Sequence, residues 1–371
     1  TRKSSMAVCL ENTRRHLAES ATAGATSAGN IATLNRVILP VIRRVMPTVI
    51  ANEIIGVQPM TGPVAQIHTL RVRYADGVGS GDVVTAGEEA LSPFKIAQAY
   101  SGNNASNGGA ATTAAMEGTP GKRMSIQILK SPVEAKSRKL SARWTFEAAQ
   151  DAQAQQGIDI EAEIMAALAQ EITAEIDQEV IGSLLSLAGS AVSTFDMTAG
   201  DFTGTPTYVG DRHAVLAILI NNAANLIAQR TRRGAGNWAV VSSAALTVLQ
   251  SATTSAFART TEGTFEAPTN TKFVGTLNGA MRVFVDSYAS DSTPVLVGYK
   301  GSSEADAAAF YCPYIPLMSS GVVLDPATFE PVVGFLTRYG YVELSNTASS
   351  LGNAADYLGK VAITSANVKF S

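Results

Sequence analysis

Charge is scarce in this chain: Asp, Glu, Lys and Arg together make up 16% of its 371 residues, against about 25% in an ordinary soluble domain. Something other than charge keeps the surface soluble. Ser, Thr, Asn and Gly supply part of the polarity. A further reading is that much of the surface lies against neighbouring copies, because interface cores are depleted in Lys, Glu and Asp. A secreted globular protein with a Ser/Thr/Asn surface accounts for the composition equally well. Basic residues are not in excess either. The 28 Lys and Arg stand against 31 Asp and Glu, a formal net charge of -3, which argues against a dedicated nucleic-acid binder but is compatible with loose contact.

Cysteine and histidine are nearly absent. Cys9 and Cys312 are too few and too far apart for a disulfide framework or a thiolate metal site, and a reducing compartment such as a bacterial cytoplasm fits them. His16, His68 and His213 form no H-E-x-x-H and neighbour no Cys pair, so no metal and no other cofactor is expected. His68 reads as a residue on a strand face. No run approaches the roughly 18 consecutive apolar residues of a membrane span, and the N-terminus lacks the charged-then-apolar layout of a signal peptide. No membrane partner is expected. Thr1 in place of Met is compatible with a trimmed start and with a shortened chain.

Catalytic signatures are missing as well. There is no G-x-S-x-G elbow. Gly77-Val78-Gly79-Ser80-Gly81 lacks the third glycine and the following helix of a dinucleotide loop, and reads as a ribbon tip. Gly118-Thr119-Pro120-Gly121-Lys122 fails as a P-loop, since its first glycine is misplaced and Arg123 stands where Ser or Thr should meet magnesium. No enzymatic activity is expected. An α/β hydrolase or transferase is the distant alternative.

What is present begins with a length beyond the usual reach of one hydrophobic core, which predicts two core-bearing units or one domain with a long excursion. Residues 1–30 read as an arm. Leu34, Val37, Ile38, Val41, Ile42, Val45, Met46, Val49 and Ile50 recur at helical spacing, interrupted or kinked by Pro40 and Pro47. After the turn cluster at 58–63 the period becomes two. His68, Leu70, Val72 and Tyr74 alternate with Thr69, Arg71 and Arg73. Residues 75–121 are rich in Gly, Ala, Ser and Asn. Alternation resumes at Met124, Ile126 and Ile128 and continues through the basic Lys136, Arg138, Lys139 and Arg143. Together these predict a long projecting hairpin, at best marginally stable alone, whose natural partner is another subunit.

Residues 158–187 predict the longest helix, about 45 Å at 1.5 Å per residue, with Ile160, Ile164, Leu168, Ile172, Ile176, Val180 and Leu184 on one face. Its glutamates read as a solvated outer face. Helices at 212–230 and 244–250 and strands at 237–242, 281–285, 294–297 and 339–344 make the fold class α+β, with a compact α/β unit in the second half. Arg230, Arg232 and Arg233 close a helix, where cations favour the negative end of the dipole. Contact with nucleic acid or another subunit is the sharper reading, and it extends to Arg43 and Arg44.

Three segments carry a resemblance. The first is Ile42-Arg43-Arg44-Val45-Met46-Pro47 running into Ile55-Gly56-Val57-Gln58-Pro59-Met60-Thr61-Gly62-Pro63. The second is Trp144-Thr145-Phe146-Glu147-Ala148-Ala149-Gln150-Asp151, which leads into the long helix. The third is Tyr311-Cys312-Pro313-Tyr314-Ile315-Pro316-Leu317, then Asp325-Pro326, Phe329, Pro331 and Gly334-Phe335-Leu336-Thr337-Arg338-Tyr339-Gly340. In this order they resemble the major capsid protein family of T-even-type and related contractile-tailed bacteriophages.

The resemblance implies an HK97-type capsid fold. Its parts would be an N-terminal arm and kinked helix (1–62), an extended loop (63–145), a peripheral domain with a long spine helix (146–205 and 327–371) and an axial domain (206–326). Larger members carry a folded insertion beside the extended loop, whereas residues 75–121 have too few apolar side chains for a core. The implied function is assembly into hexamers and pentamers of an icosahedral head, with scaffolding protein, portal and decoration or vertex proteins as further partners. The head would enclose double-stranded DNA without reading its sequence and would form in the host cytoplasm. Arg71, Arg73, Lys136, Arg138 and Lys139 on the extended loop, with Arg230, Arg232 and Arg233 near the axial domain, are the expected inter-subunit contacts. Reversing the charge of Arg138 is expected to weaken assembly more than folding. An encapsulin-like compartment and a capsid vertex protein are the near alternatives.

Overall fold

The computed structural model describes residues 50–77, 84–88, 90, 100–101, 110–118, 120–157, 159–196, 209–251, 257–259, 273–303, 306–344 and 354–364. All of them belong to the unit that runs from Arg44 to Ser371. The expected N-terminal arm, the helix through Pro40 and Pro47, and Arg43 and Arg44 lie outside the described residues.

In chain order, α1 (Ala51–Ile54) and β1 (Gly56–Val57) lead to β2 (Val64–Tyr74), α2 (Thr113–Met116), β3 (Met124–Glu134) and β4 (Lys136–Arg143). Next come α3 (Phe146–Gln156), α4 (Ile160–Leu187), β5 (Ser193–Phe195), α5 (Val209–Thr231), β6 (Trp238–Ser242) and α6 (Ser243–Ser251). The chain continues through β7 (Phe257–Arg259), β8 (Phe273–Leu277), β9 (Met281–Asp286), β10 (Val295–Gly298), β11 (Ala309–Leu324) and β12 (Pro331–Glu343). A short 3-10 helix (Ala354–Tyr357) precedes β13 (Leu358–Ile363).

β2 and β3 form a sheet of their own. Their pairing is antiparallel and unbroken from Val64 opposite Glu134 to Tyr74 opposite Met124, so two strands of 11 residues reach about 36 Å at roughly 3.3 Å per residue. This is the expected hairpin as far as Glu134, but the basic stretch Lys136–Arg143, expected to continue its second arm, pairs with β12 instead. At the hairpin's far end Tyr74, Val84, Ala90 and Tyr100 are buried together, which corrects the expectation that 75–121 holds no core. The cluster works because two aromatics supply most of it. The Tyr74 and Tyr100 rings lie 4.5 Å apart, the Tyr100 hydroxyl donates to the Arg123 carbonyl, and the Asp76 carboxylate accepts from the Arg123 amide at 2.8 Å.

A four-stranded sheet has the order β1-β11-β12-β4. β11 is not among the strands predicted from the sequence, and it carries Pro313 and Pro316. It tolerates them through register shifts between Pro313 and Ile315, Ile315 and Met318, and Ser319 and Val322, the bulges at which sheets accept proline. Two helices follow β4 where one was predicted. α3 starts at Thr145, whose hydroxyl accepts from the Ala148 amide at 3.4 Å, and stops at Gly157 with φ 65, a left-handed cap that glycine adopts without a Cβ clash. Asp159 then caps α4, accepting from the Glu161 amide at 3.0 Å. The 28 residues of α4 span about 42 Å at 1.5 Å each.

The third sheet has seven strands in the order β5-β13-β10-β6-β9-β8-β7. It is mixed, with β5/β13 and β6/β9 parallel. Alternation along β6 explains how it is covered, since successive side chains point to opposite faces. Ala239 and Val241 join a core with Leu216, Ile220, Ala223 and Ile227 of α5 and Ala245, Val248 and Leu249 of α6. Trp238 and Val240 join Phe284, Leu296, Ile54, Ile55 and the α4 residues Val180, Ile181 and Leu184 on the other face. Strand pairing departs from the sequence boundaries drawn above: β4, assigned with the extended loop at 63–145, pairs with β12, and β1, assigned with 1–62, pairs with β11. β11, assigned with 206–326, pairs with β12, while β5 and β13, assigned with 146–205 and 327–371, pair into the seven-stranded sheet. Periodicity marks a strand but not its partner.

Candidate self-assembly surfaces

Arg138 sits at mid-strand in β4, opposite Thr337 of β12, and its guanidinium reaches the side of α4. Nε donates to the Tyr339 hydroxyl at 2.6 Å, Nη1 to Glu175 at 2.6 Å and Nη2 to Glu179 at 2.5 Å. The Tyr339 hydroxyl in turn donates to Glu179. Burial opposes ionisation of Glu179, yet the hydrogen bonds from Arg138 and Tyr339 outweigh it and hold this carboxyl below its ordinary range. Burial and the hydrogen bond to Glu179 push the Tyr339 phenol up to about 12. Arg138 is thus engaged within its own chain. A carboxylate at 138 would face those two others, so charge reversal here acts on the fold as well as on any contact with a neighbour.

The remaining expected contact residues fall into two groups. Arg71 is only 8% exposed, and the Arg73 Nε is buried without a hydrogen-bond partner. Arg233 donates to Asp306 at 2.6 Å, and the Tyr357 hydroxyl approaches the same carboxylate oxygen at 3.4 Å. Arg232 occupies a left-handed cap with φ 50, its amide bonded to the Ala228 carbonyl at 2.8 Å, and closes α5 beside the half-buried Arg230. Lys136, Lys139, Arg232 and Arg233 are exposed. The structure does not gather the eight residues into one patch: Arg138 holds a helix to a sheet, Arg71 and Arg73 are drawn into the ribbon, and the rest present charge outward.

Apolar residues mark the surface more sharply than charged ones. Leu70 (66% exposed) lies opposite Ile128, and Val72 lies opposite Ile126 (67%) on the same ribbon face. At the other end of the four-stranded sheet, Met318, Val322, Val323 and Leu324 are exposed, and Phe329 is the most exposed large apolar residue of the described chain at 76%. A groove of about 470 Å³ runs between β4, β11 and β12, lined by Lys139, Leu140, Met318, Phe335 and Leu336. Sequence reasoning missed the Phe329 tip. Its signal was the Asp325-Pro326 turn ahead of a lone aromatic.

Among the described residues, no group of three or more His, Cys, Asp or Glu is placed to hold a metal, and no helix is long and apolar enough to cross a membrane. Burial pushes the Cys312 thiol up to about 11, far from a reactive thiolate at neutral pH.

A model of the family described as major capsid protein Gp23 matches residues 31–363. The major capsid protein of Vibrio phage KVP40 is 30% identical over 89% of this chain and 80% of its own. That of Enterobacteria phage T6 is 31% identical over 86% of this chain and 79% of its own. Among solved structures, the capsid of Myoviridae phage XM1 is similar with a TM-score of 0.51 at 12% identity, covering 92% of this chain and 99% of that one. A chain of Mycobacterium phage Cain is similar with a TM-score of 0.53 at 11% identity over 92% and 99%. These structural likenesses establish the HK97-type capsid fold. Since the family model runs through the ribbon, both larger sheets and every surface described above, this chain belongs to the Gp23 family of phage major capsid proteins.

Proposed function

We propose that this major capsid protein forms the hexamers and pentamers of an icosahedral phage head that encloses double-stranded DNA, and that it does so without catalysis. The observation that carries this reading is the exposed apolar face of the β2–β3 ribbon. Burial of apolar surface contributes about 25 cal/mol per Å², so Leu70, Ile126 and Ile128 in water are a standing drive towards association. A two-stranded ribbon is marginal alone, and it supplies contact area without a large globular interface. Family membership favours a phage head over a cargo-enclosing compartment of the same fold.

On this reading the ribbon is the extended loop. The four-stranded sheet with α3 and α4 forms the peripheral part, and the seven-stranded sheet with α5 and α6 forms the axial part. Lys136, Lys139, Arg230, Arg232 and Arg233 are the charged contacts a neighbour would meet, with Arg71 and Arg73 acting through the ribbon they stiffen. Scaffolding protein, portal and decoration or vertex proteins complete the partners. Assembly takes place in the host cytoplasm. DNA is held by enclosure, which suits a net charge of -3, since a strongly cationic lining would bind phosphates tightly. Electron microscopy and sedimentation of the full chain, expressed in a bacterial host, test the reading. Closed icosahedral shells are expected, and a monodisperse monomer at every concentration would overturn it.

A further inference from the structure

Phe329 stands at the turn joining β11 and β12, and three features set it apart from an incidental surface aromatic. Its backbone lies in the left-handed region, φ 59, which costs a bulky residue energy and persists only where the surroundings impose it. The turn does impose it: the Phe329 amide donates to the Asp325 carbonyl at 2.8 Å, the Asp325 amide to the Glu330 carbonyl at 3.0 Å, and the Ala327 amide to the Asp325 carboxylate at 3.0 Å. The Cα–Cβ bond of Phe329 is therefore held in place by the turn, and the ring is exposed. Exposed Val322, Val323 and Leu324 lie behind it, so the strand end that leads into the turn is apolar.

We propose that Phe329 is the anchor of a contact between copies of this chain, its ring seated in the groove of a second copy against the paired Met318 and Leu336. The inference rests on the shell reading above and names one of its contacts. The tip cannot enter its own groove, because Phe335 lies further along the same extended strand, about 16 Å from Glu330 at roughly 3.3 Å per residue. Charge complements shape: Asp325 and Glu330 belong to the same turn as Phe329, Glu330 lying 3.9 Å from Arg143 of its own chain, and the exposed Lys139 rims the groove. Side-chain docking fits better than strand addition, because Pro316 and the bulges of β11 spoil that edge as a template. A tip on one copy meeting a groove on the next is a heterologous contact, the kind that closes into rings.

Phe329→Gly separates the contact from the fold, since glycine adopts the left-handed φ without strain. The full chain carrying it should melt no lower than wild type while its shell yield at matched concentration falls about tenfold or more, as for loss of a buried aromatic anchor. Phe329→Tyr should restore assembly. In a Cys9→Ser background, the pair Phe329→Cys and Leu336→Cys should give covalent multimers on oxidation of assembled particles. Unchanged yield for Phe329→Gly, or shells without covalent multimers, would overturn this contact and leave the shell reading standing. A wild-type chain that stays monomeric would overturn both.

Discussion

Arg138 and Glu179 meet across the boundary between a strand and a helix, Nη2 to carboxylate at 2.5 Å, with the Tyr339 hydroxyl bonded to both. The contact joins residues 41 apart in sequence and fixes β4 to the middle of α4. Arg138→Ala leaves Glu175 and Glu179 side by side without their cation. The pair is about one-third exposed, so the loss is set below that of a buried pair, at about 1–2 kcal/mol. Chemical denaturation of the unassembled chain measures it. Wild-type stability in the variant would refute the clamp.

The same cluster fixes a pH dependence. Glu179 has its carboxyl held below the reference value of 4.5, so its contribution is present above that value and is lost as pH falls through the lower folded-state value. Melting temperatures taken from pH 6 down to pH 3, a range of about three units around ordinary carboxylate values, should show wild type losing more stability than Glu179→Gln. Parallel curves would mean that Glu179 is not linked to folding.

Polar substitution on the ribbon should divide folding from assembly. Leu70→Ser with Ile128→Ser alters two exposed, directly opposed positions. Monomer stability should shift by no more than about 0.5 kcal/mol, as at ordinary surface sites, while shell formation collapses. Calorimetry and electron microscopy of the same preparation read the two effects, and normal shells would count against the ribbon as an interface.

Gly298 ends β10 beneath Trp238, and a Cβ there would overlap the indole ring. Gly298→Ala should destabilise by about 1–3 kcal/mol through overpacking, with reduced soluble yield. Because Trp238 is wedged in the core between α4 and the seven-stranded sheet, Trp238→Phe should relieve the clash in the double variant. Failure of that rescue would place the strain elsewhere.

The ribbon was legible in the sequence because Leu70, Val72 and Tyr74 alternate with polar residues and the two alternating runs flank a polar insert. α4 was legible because seven apolar residues recur every four positions. β11 was not, since its pairing with β12 shifts register three times and leaves no steady alternation along the strand. β5 and β13 were hidden for another reason: three- and six-residue strands gain their identity from partners far along the chain. Arg138 shows the same limit at a site. Its basic neighbourhood and the glutamates of α4 were both visible, but nothing in either segment announces that they meet. Phe329 belongs to no periodic pattern, and its one mark in the sequence is the Asp325-Pro326 turn ahead of it.

Along α4, Ile176 packs with Tyr339 of the four-stranded sheet, and one turn later Val180 packs under the seven-stranded sheet with Trp238 and Phe284. A single rod is thus embedded in both layers, like a beam mortised into two walls. Neither sheet can pivot without carrying the rod, and the rod cannot tilt without loading both. Curvature differences among positions in a shell are therefore easier to take up at the two-stranded ribbon, which belongs to neither of the two sheets, than between the sheets themselves.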